Sequence, residues 1–242
     1  MDAAPDQVQI LQALQSGELE MQGQFLRGSN YTFLAEARGA ETVVQAVYKP
    51  VRGEQPLWDF PAGSLAKREA AAFEVSRALG WELVPPTVFR RDAPLGAGSL
   101  QQFIRHHPGE HYFTFDPDTR QLLRPVALFD ILINNADRKG GHVLRDAGDH
   151  LWLIDHGVCF HVEDKLRTVI WDFAGEPIPA DLLADVARLI AALEERGGVY
   201  NQLKPLLRAG EIGALTGRAR LLLQNPVFPY PGRQRAVPWP PI

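Results

Sequence analysis

The chain has 242 residues, 45% hydrophobic and 22% charged, with a formal net charge of −4 at pH 7. This is ordinary globular composition, enough for one large or two small domains whose core removes roughly 70–75% of the unfolded surface from water. The acidic excess argues against a dedicated nucleic-acid binder, the single cysteine (Cys159) excludes an internal disulfide, and no apolar run reaches the ~20 residues of a membrane helix. "MDAAPDQVQI" has no apolar leader segment, so a soluble, cytoplasmic protein with no nucleic-acid partner is expected.

In chain order, residues 6–16 read as a short amphipathic helix ended by Gly17. Residues 22–49 read as two strands, "GQFLRGSNYTFLAEA" and "ETVVQAVYKP", joined by a turn at Arg38-Gly39-Ala40. After a loop rich in Pro, Gly and Trp, Ser64 is the expected N-cap of the helix "LAKREAAAFEVSRALG", which Gly80 closes. "WELVPPTVFRR" and "GSLQQFIRHH" follow as two more strands. The second half differs: "DTRQLLRPVALFDILIN" reads as one helix with Pro125 in its first turns. Short strands are expected at Val143-Leu144 and in "HLWLID", then helices over 180–196, 199–208 and 215–224. The last 18 residues contain six prolines and cannot form regular helix. The shift in character near residue 105 suggests two lobes, 1–105 (N-terminal helix, sheet and one packed helix) and 106–242 (mostly helical, with a Pro-rich tail).

The chemistry concentrates in "ILINNADRKGGHVL", residues 131–144, and in "LWLIDHGVCF", residues 151–160. Asp155 ends an apolar strand. Alone, a strand-end Asp before Gly is common turn chemistry. Asp137 lies eighteen residues earlier, just before the partner strand, so a tight hairpin brings the two carboxylates to one mouth. They repel unless a cation sits between them, and a divalent metal carrying phosphate oxygens resolves the conflict. His142, five residues after Asp137, can point into the same mouth as a ligand better suited to Mn²⁺ than Mg²⁺, or can be satisfied by a backbone carbonyl. The glycines 140 and 141 let the backbone approach phosphate.

Upstream, Lys49 closes the second N-terminal strand and Glu69 lies near the start of the following helix, the arrangement by which kinases hold an ammonium on phosphates. Glu74 is the competing partner. The turn "RGSNY" offers small residues and free N–H groups at Gly28 and Ser29, as a phosphate-covering loop requires. It also reads as a plain β-turn. The order of these pieces is that of the kinase template, so the expected architecture is α+β: a two-lobe protein-kinase-like fold with a β-rich N-lobe carrying one helix and a mostly helical C-lobe.

"LFDILINNADRKGGHVL" followed by "LWLIDHGVCF" resembles the catalytic and metal-binding loops of the phosphatidylinositol 3-/4-kinase superfamily, with its N-x-D-R and I-D-x-G motifs, above all the type II 4-kinase and HipA-like branches. "LGWELVPPT" resembles the strand before their hinge, and the likeness spans roughly residues 22–175 of a bacterial-type member. It implies ATP and Mg²⁺ or Mn²⁺ as cofactors and a phosphoryl acceptor (lipid, protein or small molecule) that the sequence does not name. Asp137 would be the catalytic base or the acid that orients the acceptor hydroxyl, Asp155 the metal ligand, Lys49 the contact to the α/β-phosphates with Glu69 as its orienter, and Arg138 structural or electrostatic support. Gly28, Ser29 and Asn30 would cover the phosphates, and Gln102, Phe103 and Ile104 would line the adenine. Two positions depart from the family: Asn is usual at His142, the second metal position, and Phe or Asn is common at His156. Oligomeric state is not specified. The alternatives are a nucleotide-binding pseudokinase acting as a regulatory module, an AMP transferase on the same fold, and an unrelated soluble α+β protein.

Overall fold

The computed structural model describes residues 6–25, 30–107, 109–232 and 235–242. Its N-terminal part is a five-stranded antiparallel sheet of order β1-β2-β3-β5-β4, with β1 Glu18–Phe25, β2 Thr32–Arg38, β3 Val43–Pro50, β4 Thr87–Arg90 and β5 Gly98–Gln102. Two helices accompany it, α1 Gln7–Ser16 and α2 Leu65–Leu79. The segment expected as one strand over 23–37 is instead two, β1 and β2, paired from Glu18↔Arg38 to Phe25↔Thr32. β1 is an edge strand whose side chains are all exposed or half-buried. Backbone pairing rather than burial holds it, so it leaves little hydrophobic alternation to read.

α1 starts with a capping box: the Asp6 carboxylate accepts the Gln9 N–H at 2.8 Å, and the Gln9 side chain accepts the Asp6 N–H at 3.0 Å. The helix buries Ile10, Ala13 and Leu14 against Ala35, Ala37, Val44 and Leu100 of the sheet. Ser64 stands at the N-cap of α2, but its hydroxyl donates to Pro61 O at 2.6 Å and does not cap. Glu54 caps instead, accepting the Ala66 N–H at 2.9 Å and the Leu65 N–H at 3.3 Å. A carboxylate at that end also suits the helix dipole. Gly80, at φ 74°, closes α2 in the left-handed conformation.

The C-terminal part is mostly helical, with α3 Pro117–Gln121, α4 Arg124–Ile133, α5 Ala180–Glu194, α6 Gly198–Leu203 and α7 Ala209–Gln224 around one short hairpin, β6 Val143–Arg145 and β7 Leu151–Leu153. The single helix expected over 118–134 is broken into α3 and α4. Pro125 sits in the first turn of α4, where its missing N–H costs nothing, whereas inside one continuous helix it would remove a backbone bond. α7 begins six residues before the expected 215, with Glu211 accepting the Arg208 N–H at 2.7 Å as part of its cap. α6 ends sooner than expected.

α2 belongs to both parts. Its face carrying Phe73, Val75 and Leu79 lies in the larger core, shared with Leu128, Phe129, Leu189 and Leu203, and it also packs on β4 and β5. The architecture is thus the expected α+β fold, sheet-rich first and helical second. Among the described residues no helix is long and apolar enough to cross a membrane.

Candidate active site

The site forms where three pieces meet: the end of β3, the second turn of α2 and the two loops flanking the β6–β7 hairpin. Alternation along β3 buries Val44, Ala46 and Tyr48 on one side, which puts Lys49 on the opposite face. Lys49 Nζ lies 2.6 Å from Glu69 Oε1 and also donates to Asp155 Oδ1. Burial alone would lower the Lys49 pKa, but Asp155 and then Glu69 outweigh it and raise the value above the usual lysine range. Glu74, the competing partner, pairs instead with Arg77 at 2.7 Å.

Asp155 sits at φ 61°, a left-handed turn that aims its carboxylate back across the hairpin mouth. Partial burial would raise its pKa; the Lys49 ammonium, followed by His142, reverses this and holds it below the usual carboxylate range. Glu69 Oε2 accepts the His156 N–H at 2.8 Å, so the same glutamate grips both the lysine and the loop after β7.

The two asparagines that end the apolar run are buried and structural. Asn134, at φ 53°, closes α4. Its amide donates to Glu163 O at 2.6 Å and its carbonyl accepts the Lys165 N–H at 2.9 Å. Asn135 Oδ1 accepts the Asp137 N–H at 3.0 Å. The Asp137 side chain is 37% exposed, with Lys139 Nζ at 3.5 Å. Its pKa is raised by burial and by the nearby Asp155, against the pull of Lys139. Gly140 does not serve phosphate approach as expected: a Cβ there would lie 2.7 Å from the Phe113 ring, and its N–H donates to Pro241 O at 2.8 Å. Its lack of a side chain is a packing requirement. Gly141 is open, with no heavy atom within 4 Å of a built Cβ.

Arg138 is 0% exposed. Its Nε lies 3.1 Å from both carboxylate oxygens of Asp130, its Nη1 donates to Ile154 O at 3.0 Å and His142 O at 3.3 Å, and its Nη2 lies 2.8 Å from His156 Nε2. It therefore ties the loop before β6 to the loop after β7 and does not open onto the cleft. His142 Nε2 lies 3.2 Å from Asp155 Oδ2, and its Nδ1 lies 3.4 Å from the Lys139 backbone N, a long contact. Burial lowers the His142 pKa to about 4, against the opposing pull of Asp155. The neutral ring then carries its proton on Nε2, toward Asp155, and accepts on Nδ1.

At the connection to the C-terminal part, the Gln102 and Phe103 N–H groups are engaged by Pro86 O at 2.9 Å and Gln45 O at 2.8 Å. Of the three residues expected along the adenine, Ile104 is thus the one whose backbone N–H lies beyond the strand ladder. Asn30 Oδ1 accepts the Gln55 N–H at 2.8 Å, fixing the chain just before β2 to the loop before α2. Gly28 and Ser29 lie outside the described residues.

Three supports were not found from sequence. Asp130 is 0% exposed and holds Arg138, Asn135 and Thr168 together; the signal was an acid inside the otherwise apolar run "VALFDILI". Arg68 pairs with Glu211 of α7 and donates to Cys159 O at 2.6 Å. Glu54 fixes the α2 N-terminus.

No family model matches the chain. The protein Rv2133c of Mycobacterium tuberculosis (strain ATCC 25618 / H37Rv) is 42% identical over 262 residues, covering 94% of this chain and 93% of its own length. The chain belongs to the Rv2133c family. A more distant relative of this Rv2133c-family chain is phosphatidylinositol 4-kinase gamma 4 of Oryza sativa subsp. japonica, 28% identical over 197 residues; the match spans 66% of this chain and 34% of the rice protein. Among solved structures, hydra Fam20 with sugar superposes with a TM-score of 0.58 at 16% identity, over 90% of this chain and 87% of that one. The Helicobacter pylori proinflammatory kinase CtkA gives 0.54 at 11% identity, over 89% and 94%. The Rv2133c-family fold is kinase-like.

Proposed function

We propose that the chain is an ATP-dependent phosphotransferase of kinase type. The observation that carries this reading is the convergence on one cleft of a strand lysine, a helix glutamate and two loop aspartates. Glu69 and Asp155 hold the Lys49 ammonium, and Asp137 lies close enough to Asp155 for the two charges to interact. In the proposed roles, Lys49 binds the α/β-phosphates and Glu69 orients it. Asp137 accepts the acceptor proton, and its raised pKa makes it a better base than an ordinary aspartate. Asn30, with Gly28 and Ser29, covers the phosphates, and Gln102, Phe103 and Ile104 line the adenine. The lobes divide near residue 105.

Among the described residues, no cluster of three or more His, Cys, Asp and Glu side chains could cage a metal alone. Asp155, 45% exposed, fits an ion that takes its remaining ligands from phosphate oxygens and water, the usual manner of Mg²⁺ at a nucleotide. When bound, such an ion would neutralise developing phosphate charge. His142, expected as a second ligand, faces Asp155 Oδ2 at 3.2 Å and orients that carboxylate toward the ion. The N-x-D-R and I-D-x-G motifs and the likeness to the rice 4-kinase support membership of the phosphatidylinositol 3-/4-kinase superfamily.

The test is incubation with γ-labelled and, separately, α-labelled ATP, each with Mg²⁺ and with Mn²⁺, scoring hydrolysis, autophosphorylation and transfer to lipid and protein panels. Transfer of the γ label, lost in Asp137→Asn and Asp155→Asn, is the expected result. Covalent α label would instead identify a nucleotide transferase, and nucleotide binding without turnover a regulatory pseudokinase.

A further inference from the structure

We infer that His156 is a positioning residue that couples Glu69 on α2 to Arg138 in the loop before β6, and that its ring proton resides on Nδ1. The kinetic part of this inference rests on the phosphotransferase reading; the proton assignment does not.

His156 is 0% exposed and packs edge-on against Phe129, with ring centroids 5.9 Å apart. Arg138 Nη2 approaches its Nε2 to 2.8 Å. A guanidinium has donors and no acceptor, so Nε2 must present its lone pair, and the neutral ring carries its hydrogen on Nδ1. That nitrogen has no hydrogen-bond partner among the described residues, and Glu69 Oε2 lies 4.0 Å from it. The backbone N–H of the same residue donates to this same oxygen at 2.8 Å. One residue thus faces Glu69 twice, by its main chain and by its ring proton, while the far side of the ring receives the arginine.

The consequences run in two directions. Arg138 also holds the carbonyls of Ile154 and His142, the residue before the metal-side aspartate and the residue beside it. Without an acceptor at His156, a buried N–H of Arg138 is left unmet, and the guanidinium must turn at the expense of those carbonyls or of Asp130. On the other side, Glu69 has Lys49 as its second partner. A change of the His156 side chain therefore reaches Asp155 through Arg138, while the main-chain hydrogen bond to Glu69 is kept. Phenylalanine in its place keeps a ring against Phe129 but offers no lone pair.

The experiment compares wild type, His156→Phe and His156→Gln in the full chain. Glutamine places a carbonyl oxygen near the Nε2 position and can accept from Arg138. His156→Phe is expected to lower kcat for ATP turnover by about tenfold or more with KM for ATP changed by less than about threefold, because it displaces groups instead of deleting a nucleotide contact. His156→Gln is expected to recover most of that loss. ¹⁵N spectra of the wild-type imidazoles should show one neutral ring protonated on Nδ1 and missing from His156→Gln. A kcat unchanged in His156→Phe, a glutamine variant no better than phenylalanine, or a ring protonated on Nε2 each overturns the inference. A wild type that turns over no ATP defeats the phosphotransferase reading instead. The nitrogen spectrum, with the relative unfolding midpoints of the two variants, then decides the coupling, and a glutamine variant no more stable than phenylalanine overturns it.

Discussion

Arg68 of α2 and Glu211 of α7 form an ion pair almost without solvent contact, one residue before the glutamate that holds Lys49. The same guanidinium donates to Cys159 O, at the end of the loop that carries Asp155 and His156. The helix that positions Glu69 is thus fastened to the helical part by the fold itself. Glu211→Ala would leave Arg68 buried without its carboxylate, and is expected to cost about 3–5 kcal/mol, the usual penalty for breaking a buried pair. Arg68→Met with Glu211→Leu should recover much of it. Urea unfolding measures both, and a single-mutant loss under about 1 kcal/mol would mean the pair is inconsequential.

Glu69→Gln tests the neighbouring residue of the same helix. Glutamine is nearly isosteric, but its single carbonyl oxygen can replace only one of the two carboxylate oxygens that accept from Lys49 and from the His156 N–H, and the negative charge is gone. Lys49 then has Asp155 as its anion and is drawn toward it. Turnover is expected to fall roughly 10- to 100-fold, because the ammonium is misplaced relative to phosphate, with only a modest loss of stability. Steady-state kinetics beside thermal unfolding separates the effects. Unaltered turnover would remove Glu69 from the proposed machinery.

The Lys49–Glu69 pairing was legible in the sequence because each residue ends or begins a strongly patterned element, and the kinase order supplied the register between them. The same holds for Asp137 and Asp155, brought together by a hairpin whose strands are short and apolar at every position but Arg145. What escaped was long-range or carried no hydrophobic signal. Arg68 and Glu211 are 143 residues apart, and neither differs in sequence from a solvated helix charge. β1 is an exposed edge strand. Asp130 interrupts an apolar stretch, but an acid in a helix does not say whom it meets. Gly140 read as a phosphate contact because glycine reports only that a side chain is not tolerated; here Phe113 supplies the reason.

Asp155→Ala is expected to abolish the extra thermal stabilisation that a divalent cation adds to ATP. The ion carries much of the affinity for the phosphates, and ligand binding raises stability by RT ln(1 + L/Kd) at free ligand concentration L, so a weaker affinity gives a smaller shift. The variant should still fold, since Lys49 keeps Glu69 as partner. A thermal shift with ATP and Mg²⁺ as large as in wild type would refute Asp155 as the metal-holding residue.

The metal-free chain should lose stability on mild acidification. Burial lowers the His142 pKa to about 4 and, with Arg138 and Lys49 also opposing a positive charge, lowers that of His156 well below the usual value. An unfolded histidine titrates near about 6.5. Above that pH neither state binds the protons. As the pH falls from about 6.5 toward 4, the unfolded chain takes them up and the folded chain does not, so stability falls, by at most about 1.4 kcal/mol per pH unit for each histidine. Asp155, with its pKa depressed by Lys49, adds stability that is present above about 3.9 and lost only below it. Urea midpoints at pH 7.5, 6.5 and 5.5 should therefore decline, and decline less in His156→Gln. A flat or rising series would contradict the buried neutral rings.

His142 stands where the resemblance to the phosphatidylinositol kinases leads one to expect asparagine. As a metal ligand, His142 would offer an unprotonated nitrogen to the ion, favour Mn²⁺ over Mg²⁺, and impose an acid limb where the ring titrates. The geometry supports a different role. Nε2 faces Asp155 Oδ2 at 3.2 Å, and Nδ1 faces the Lys139 N–H at 3.4 Å. Freeing Nε2 for an ion would move the proton to Nδ1, where it meets another donor. The more favourable arrangement keeps Nε2–H on Asp155, so that His142 orients the carboxylate and Asp155 meets the ion. Asparagine can donate to the same oxygen from its amide. His142→Asn is thus expected to leave the Mg²⁺ to Mn²⁺ preference unchanged and to lower turnover by no more than about tenfold. No acid limb near pH 6.5 should be assignable to this residue, since its ring stays neutral down to about 4. Turnover against pH in each metal, for both proteins, is the measurement. A wild-type preference for Mn²⁺ that reverts to Mg²⁺ in the asparagine variant would make His142 a ligand after all.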